Sequence, residues 1–82
     1  MAPSTFCRFL GERTRAARES AGLSQAELAR RAGVHRVTLG RIESGNGMPS
    51  AETVARIVRA IGPARSGPIL AALAEGGSHG AS

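Results

Sequence analysis

The stretch Ser24 to Gly45 (SQAELARRAGVHRVTLGRIESG) starts and stops a helix twice in quick succession, and few small folds accept that rhythm. Ser24 and Glu27 have capping-box spacing: the hydroxyl can accept the Glu27 N–H while the carboxylate reaches back to the Ser24 N–H. Leu23 and Leu28 flank this start as a hydrophobic staple. Leu28, Ala29 and Ala32 share one helical face, with Arg30 and Arg31 outside it. Gly33 stands where a helix ends in a left-handed residue, which glycine tolerates best. Val34 and Leu39 repeat the staple about a second start at His35, Leu39 and Ile42 face inward, and Gly45 closes the second helix. Two capped helices of about eight residues across a glycine turn make a helix-turn-helix pattern.

Helices that cross steeply at so short a turn bring their backbones together, and a small residue is needed where they touch. Ala29, ahead of Gly33, is placed for that contact. With Val34, Leu39 and Ile42 seating the second helix, Arg36, Val37, Gly40 and Arg41 are left on its outer face. That face carries two arginines and no acid, which suits the major groove of duplex DNA. Read from pattern alone, a solvated arginine face on an ordinary helical bundle competes with this.

The segment from Leu23 to Ile61 resembles the lambda-repressor-like (Xre-type) helix-turn-helix family. The most specific residues are Leu23-Ser24-Gln25, Glu27-Leu28-Ala29, Ala32-Gly33-Val34, Arg41-Ile42-Glu43 with Gly45, and Pro49-Ser50 opening the next helix. The resemblance implies an all-α, compact five-helix domain that binds duplex DNA, usually as a two-fold dimer. It also implies a partly buried ion pair between Arg18, late in the first helix, and Glu43, near the end of the recognition helix. A solvated Glu43 with no fixed partner is the alternative.

Composition bounds the rest. Eighty-two residues allow one small domain, expected at 5–74 between a flexible start (1–4) and a disordered polar tail (75–82). The net charge is +5, and all the basic side chains are arginine, with neither lysine nor aspartate present. Arginine favours bidentate contacts to phosphate and guanine, although a GC-rich genome would enrich it too. The single cysteine rules out an internal disulfide and fits a reducing cytoplasm. No apolar run is long enough to span a membrane, and Met1 to Leu10 lacks the pattern of a signal peptide. The expected location is cytoplasmic, on DNA.

The first helix is expected from about Thr5 to Ala21, with Phe6, Leu10, Ala17 and Ala21 near one face and Thr14 between them. Relatives usually carry larger aliphatic side chains at Thr14 and Ala17, so either the core is thin there or Phe6 and Phe9 fill it; Phe9 also fits a partner surface. The loop Ser44 to Pro49 holds two glycines and an asparagine, so backbone N–H groups of Gly45, Asn46 and Gly47 can approach a phosphate; it also reads as a plain connector. Without a preceding strand or any lysine, Gly45-x-Gly47 is no nucleotide loop.

A fourth helix is expected from Ser50 to Ile61 on the Val54, Ile57, Val58, Ile61 stripe, with Arg56 and Arg59 outside as solubility residues. A short fifth helix is expected from about Gly67 to Ala74, with Pro68 at its first position. Its Ile69, Leu70 and Leu73 can cover the core, form a dimer seam, or do both.

Catalysis and metal binding have no support. One cysteine, distant histidines at 35 and 79, and scattered glutamates assemble neither a nucleophile with a base nor a ligand cluster. No cofactor is expected. The expected function is sequence-specific regulation of transcription by a homodimer on an inverted-repeat operator. Arg36, Val37, Thr38 and Arg41 are the candidates for base contact, Arg36 fitting a phosphate equally well. The candidates for backbone contact are Ser24, Gln25, His35, Gly45, Asn46 and Gly47. By resemblance, Gln25 bonds a phosphate and buttresses the recognition helix. Arg18, Glu43, Ala29 and Gly33 are structural candidates. A phage-type repressor, a restriction–modification controller and an autoregulating antitoxin all fit. With the chain ending near residue 82, no sensor domain is expected. The rival class is a protein-interaction module, such as a toxin-binding antitoxin domain.

Overall fold

The computed structural model describes the backbone of residues 5–81 and the side chains of residues 5–74; the expected flexible start at 1–4 lies outside them. Five helices follow one another: α1 (Thr5–Ser20), α2 (Gln25–Ala32), α3 (Arg36–Glu43), α4 (Ala51–Ile61) and α5 (Pro63–Ala81). No strand occurs among the described residues.

The helix ends form for local reasons. Ser24 Oγ accepts the Glu27 N–H at 3.0 Å, and Glu27 Oε1 accepts the Ser24 N–H at 3.1 Å, completing the capping box. These two bonds with Ser24 hold the Glu27 carboxyl below its ordinary value, the backbone N–H contributing most. Gly33 adopts φ 70°, which lets the Val34 N–H turn back to the Ala29 carbonyl at 3.0 Å. The same closure recurs at Gly45 (φ 76°), where the Asn46 N–H reaches the Arg41 carbonyl at 2.9 Å. Ser50 Oγ accepts the Thr53 N–H at 3.1 Å and caps α4.

The last helix departs from expectation. It begins at Pro63 rather than Gly67, and Pro68 lies inside it. Both prolines suit a first helical position, and Gly62, in a positive-φ conformation open to glycine (φ 102°, ψ 150°), puts the break before Pro63. Ser66, fully buried, brings its hydroxyl to the Gly62 carbonyl at 2.6 Å and within 3.1 Å of the Val58 carbonyl, serving the open end of α4. The backbone stays helical to Ala81, where the sequence reading stops at Ala74 and expects a disordered tail. Glycines between those residues weaken a helix without blocking it, and no proline intervenes. The His79 side chain lies outside the described residues.

The core sits between α1 and the other helices. Leu10, Leu28, Leu39 and Ile69, from four different helices, are fully buried, and Val54, Ile57 and Ile61 add the inner face of α4. Thr14 and Ala17 are buried as well, and the Thr14 hydroxyl donates to the Leu10 carbonyl at 2.8 Å, so no polar atom is stranded. Phe6 and Phe9 pack half-buried against this region, and the Arg13 guanidinium lies 4.8 Å above the Phe9 ring.

Gly11 marks a close approach of two helix backbones. A Cβ there would fall 2.9 Å from the Glu43 carbonyl oxygen and would also run into the Ile42 carbonyl, so α1 crosses directly over the C-terminal turn of α3. Backbone cannot yield as a flexible side chain does. Gly11→Ala should therefore destabilise the domain by about 1–3 kcal/mol, despite alanine's better helix propensity. Urea denaturation checks this; an unchanged or higher midpoint would show that α1 and α3 have room to part.

Candidate nucleic-acid interface

Helix α3 is held by a tie of three side chains. Glu43, at its C-terminal end, accepts from Arg18 Nε at 2.7 Å and Arg18 Nη2 at 3.0 Å in a two-pronged pair, and from Gln25 Nε2 at 3.1 Å. Arg18 belongs to α1 and Gln25 is the first residue of α2, so one carboxylate joins three helices. The Arg18 Nη1 donates to the Leu23 carbonyl at 2.8 Å and secures the turn between α1 and α2. Only 11% of the Arg18 side chain and 3% of the Glu43 side chain remain exposed. The hydrogen bond to Glu43 raises the Arg18 pKa above its ordinary value against the opposing effect of burial, so the guanidinium stays charged throughout.

Seated this way, α3 turns Arg36, Val37, Thr38 and Arg41 to solvent, with Val37 74% exposed. Gly40 departs from the expected outer face. It is half-buried against α2, and a Cβ there would lie 3.8 Å from Gln25 Oε1. Thr38 and Arg41 border a hollow of about 260 Å³ together with Gly47 and Met48, so the α3–α4 loop and the outer face of α3 meet there.

The expected backbone contacts divide. The Ser24 N–H and hydroxyl are engaged in their own cap, which leaves the Gln25 and Ala26 N–H groups at the start of α2 without an acceptor among the described residues. The Gln25 side chain is committed to Glu43. His35 is exposed at the start of α3 and makes no side-chain cap. Gly45 is buried, with Arg8 Cα only 2.9 Å from where its Cβ would be. The N–H groups of Gly45 and Asn46 return to the Ile42 and Arg41 carbonyls, and Asn46 Nδ2 donates to Ser44 Oγ at 3.0 Å. Gly47 is the open position of that loop.

Ile69 is 1% exposed and belongs to the core of its own chain, unlike Leu70 at 50%. Sequence reasoning missed Gly11 and Ser66. An isolated glycine inside a helical stretch was the available signal for the first. A serine in a proline- and glycine-rich run gives none for the second.

Residues 15–62 match the helix-turn-helix family model HTH_3. The chain belongs to the lambda-repressor-like, Xre-type helix-turn-helix family. Among solved structures it is similar to the restriction-modification controller protein C.AhdI from Aeromonas hydrophila, at 30% identity over 72% of this chain and 92% of that one, with a TM-score of 0.67. It is also similar to the clp gene regulator ClgR from C. glutamicum, at 25% identity over 89% of this chain and 94% of that one, with a TM-score of 0.74. No curated protein sequence matches it significantly. As a member of this family the chain is a DNA-binding domain of transcription regulation. Among the described residues no helix is long and apolar enough to cross a membrane, and no cluster of potential metal ligands occurs.

Removing Arg18 would strand a buried carboxylate with a single amide donor. Arg18→Ala should cost about 3 kcal/mol, a large part of the stability of so small a domain. Arg18→Ala combined with Glu43→Ala should cost less than the two single losses added together. Thermal melting of the three variants checks this, and strict additivity would mean the pair carries no coupling.

Proposed function

We propose that the protein is a sequence-specific repressor that binds an inverted-repeat operator as a homodimer, with α3 in the major groove. The observation that carries this reading is the outer face of α3: Arg36, Val37, Thr38 and Arg41 stand exposed on a helix that a buried ion pair keeps from shifting. Arg41 presents a guanidinium fork that matches guanine O6 and N7, and Val37 suits a thymine methyl. Arg36, in the first turn, neutralises a phosphate or reads a base. Phosphate anchoring comes from the free N–H groups of Gln25 and Ala26, with His35 and the open loop around Asn46 and Gly47 alongside, while Ser24 serves only to cap α2.

Dimerisation is supported by an apolar groove of about 530 Å³ between α4 and α5, bordered by Met48, Val54, Val58, Leu70 and Leu73. Met48 and Leu70 are half exposed, and the groove opens next to the α3–α4 loop, so a second copy seated there leaves both recognition helices free. Ile69, being core, takes no part. Repression follows from occupancy: a domain seated on a promoter excludes polymerase without further chemistry. The likeness to a restriction-modification controller favours that setting over a phage repressor or an antitoxin.

Selection from a random duplex library at about 0.15 M salt, where purely electrostatic binding is already weak, should enrich an inverted repeat with half-site centres about 10 base pairs apart. Enrichment of nothing, with co-purification of a defined protein, would move the chain to the protein-interaction class. On the selected operator, Arg41→Ala should cost about 1–3 kcal/mol and relax one base position. If Arg36 holds a phosphate, its removal should weaken all sequences alike and lower the salt slope by about one. An equal loss on every sequence for Arg41→Ala would sink base reading by that residue. Leu70→Glu should convert the dimer to monomer in sedimentation without changing the isolated domain's fold.

A further inference from the structure

A second concave surface lies away from the outer face of α3. The last turn of α2 and the outer face of α4 enclose a groove of about 530 Å³, lined by Arg30, Arg31, Arg56 and Arg59 together with Gly33 and Glu52. None of Arg36, Val37, Thr38 or Arg41 borders it. Four guanidinium groups face one carboxylate, and that carboxylate is already paired: Glu52 Oε1 accepts from Arg56 Nη2 at 2.8 Å. Arg56 Nη1 also lies 3.4 Å from the Gly33 carbonyl, which pins this side chain across the groove. Arg30, Arg31 and Arg59 form no ion pair among the described residues. Arg30 and Arg31 complement the C-terminal dipole of α2, but that accounts for neither Arg59 nor the concavity.

We propose that this arginine groove docks an acidic protein segment, an extended stretch rich in glutamate or aspartate on a partner protein. The shape favours a peptide over nucleic acid, because a duplex is too wide to enter a cleft between two helices. The rim favours it as well. The Glu52 carboxylate and the Gly33 carbonyl are acceptors for the backbone N–H groups that an extended peptide brings and a sugar-phosphate backbone lacks. Three unpaired guanidinium forks supply bidentate sites for its carboxylates. The position next to the Gly33 turn lets such a partner engage the domain while α3 remains free for DNA. This inference stands on the groove alone and survives a failure of the operator reading.

The test uses the full chain, labelled with ¹⁵N, and a peptide of alternating glutamate and serine beside the same peptide with glutamine in place of glutamate. The acidic peptide should shift the amides of residues 30–33 and 56–60 saturably, and the neutral one should not. Arg30→Ser with Arg31→Ser should weaken peptide binding about fivefold, as expected for two exposed ion pairs, while duplex affinity stays unchanged. Both side chains are exposed and contribute only helix propensity and the dipole of α2, so the melting temperature should fall by a few degrees with the transition still cooperative, which confirms that the variant is folded. Arg59→Ser, at a residue that also borders the groove between α4 and α5, provides a second variant, read by peptide binding alone. Shifts centred on residues 36–41, equal binding of the neutral peptide, no binding, or protection of the groove amides by duplex DNA would each overturn the proposal.

Discussion

The carboxylate of Glu43 is the point on which the recognition helix depends. A helix as short as α3 has little stability of its own, and its inner face offers only Leu39 and Ile42 to the core. Apolar packing of two side chains fixes distance but resists rolling poorly. The Arg18 fork and the Gln25 amide converge on Glu43 from α1 and α2, and that directional bonding sets the roll angle of α3. Gly11 lets the backbones of α1 and α3 come close enough for the short bonds of Arg18 to form. The side-chain tie and Gly11 make one device: without the close approach the bonds lengthen, and without the bonds the approach has nothing to hold it.

What could be read in advance follows from the range of the forces involved. The caps at Ser24 and Ser50 and the turns at Gly33 and Gly45 are settled by a few neighbouring residues, so their signals are intact in the sequence. The core stripes of α2, α3 and α4 follow helical periodicity and were equally legible. The start of α5 was not, because Pro63 and Pro68 satisfy the same local preference and only the packing of Ser66 beneath the end of α4 distinguishes them. The pairing of Arg18 with Glu43 connects distant parts of the chain and came from family resemblance, not from pattern. In the candidate interface, the exposure of Arg36, Val37 and Arg41 was readable from periodicity, which placed Gly40 rather than Thr38 beside them. That Gly40 turns toward Gln25, and that the Gly45 and Asn46 N–H groups are taken by α3, depends on how the elements close on one another.

Arginine does every cationic task in this protein, and the tasks differ by surroundings. Arg18 is nearly buried and fully bonded, Arg13 covers an aromatic ring, and Arg15 pairs with Glu19 on the surface of α1. Arg36 and Arg41 are exposed on a face without acids. A planar fork that never loses its proton can fill all these sites, whereas an ammonium group would lose the two-pronged geometry at Glu43 and the stacking over Phe9. The bias of the composition therefore carries little information by itself. The bonding around each arginine separates scaffold from surface, and it leaves Arg8, Arg30, Arg31, Arg36, Arg41 and Arg59 without a side-chain hydrogen bond or ion pair among the described residues.

That separation explains how one small domain can change its target without losing its shape. Residues that seat α3 (Leu39, Ile42, Glu43) and those that face outward (Arg36, Val37, Thr38, Arg41) alternate along the same two turns, yet share no side-chain hydrogen bond. A substitution outside costs the fold almost nothing, since exposed side chains on a helix contribute only their propensity. A substitution at the seat removes buried bonds or packing and lowers the stability of the entire domain. Specificity and stability therefore vary along independent axes in α3. The exception is Gly40, which lies between the two faces: a larger side chain there would press on Gln25 and disturb the tie at Glu43, so the path from the DNA-facing surface back into the scaffold runs through that residue.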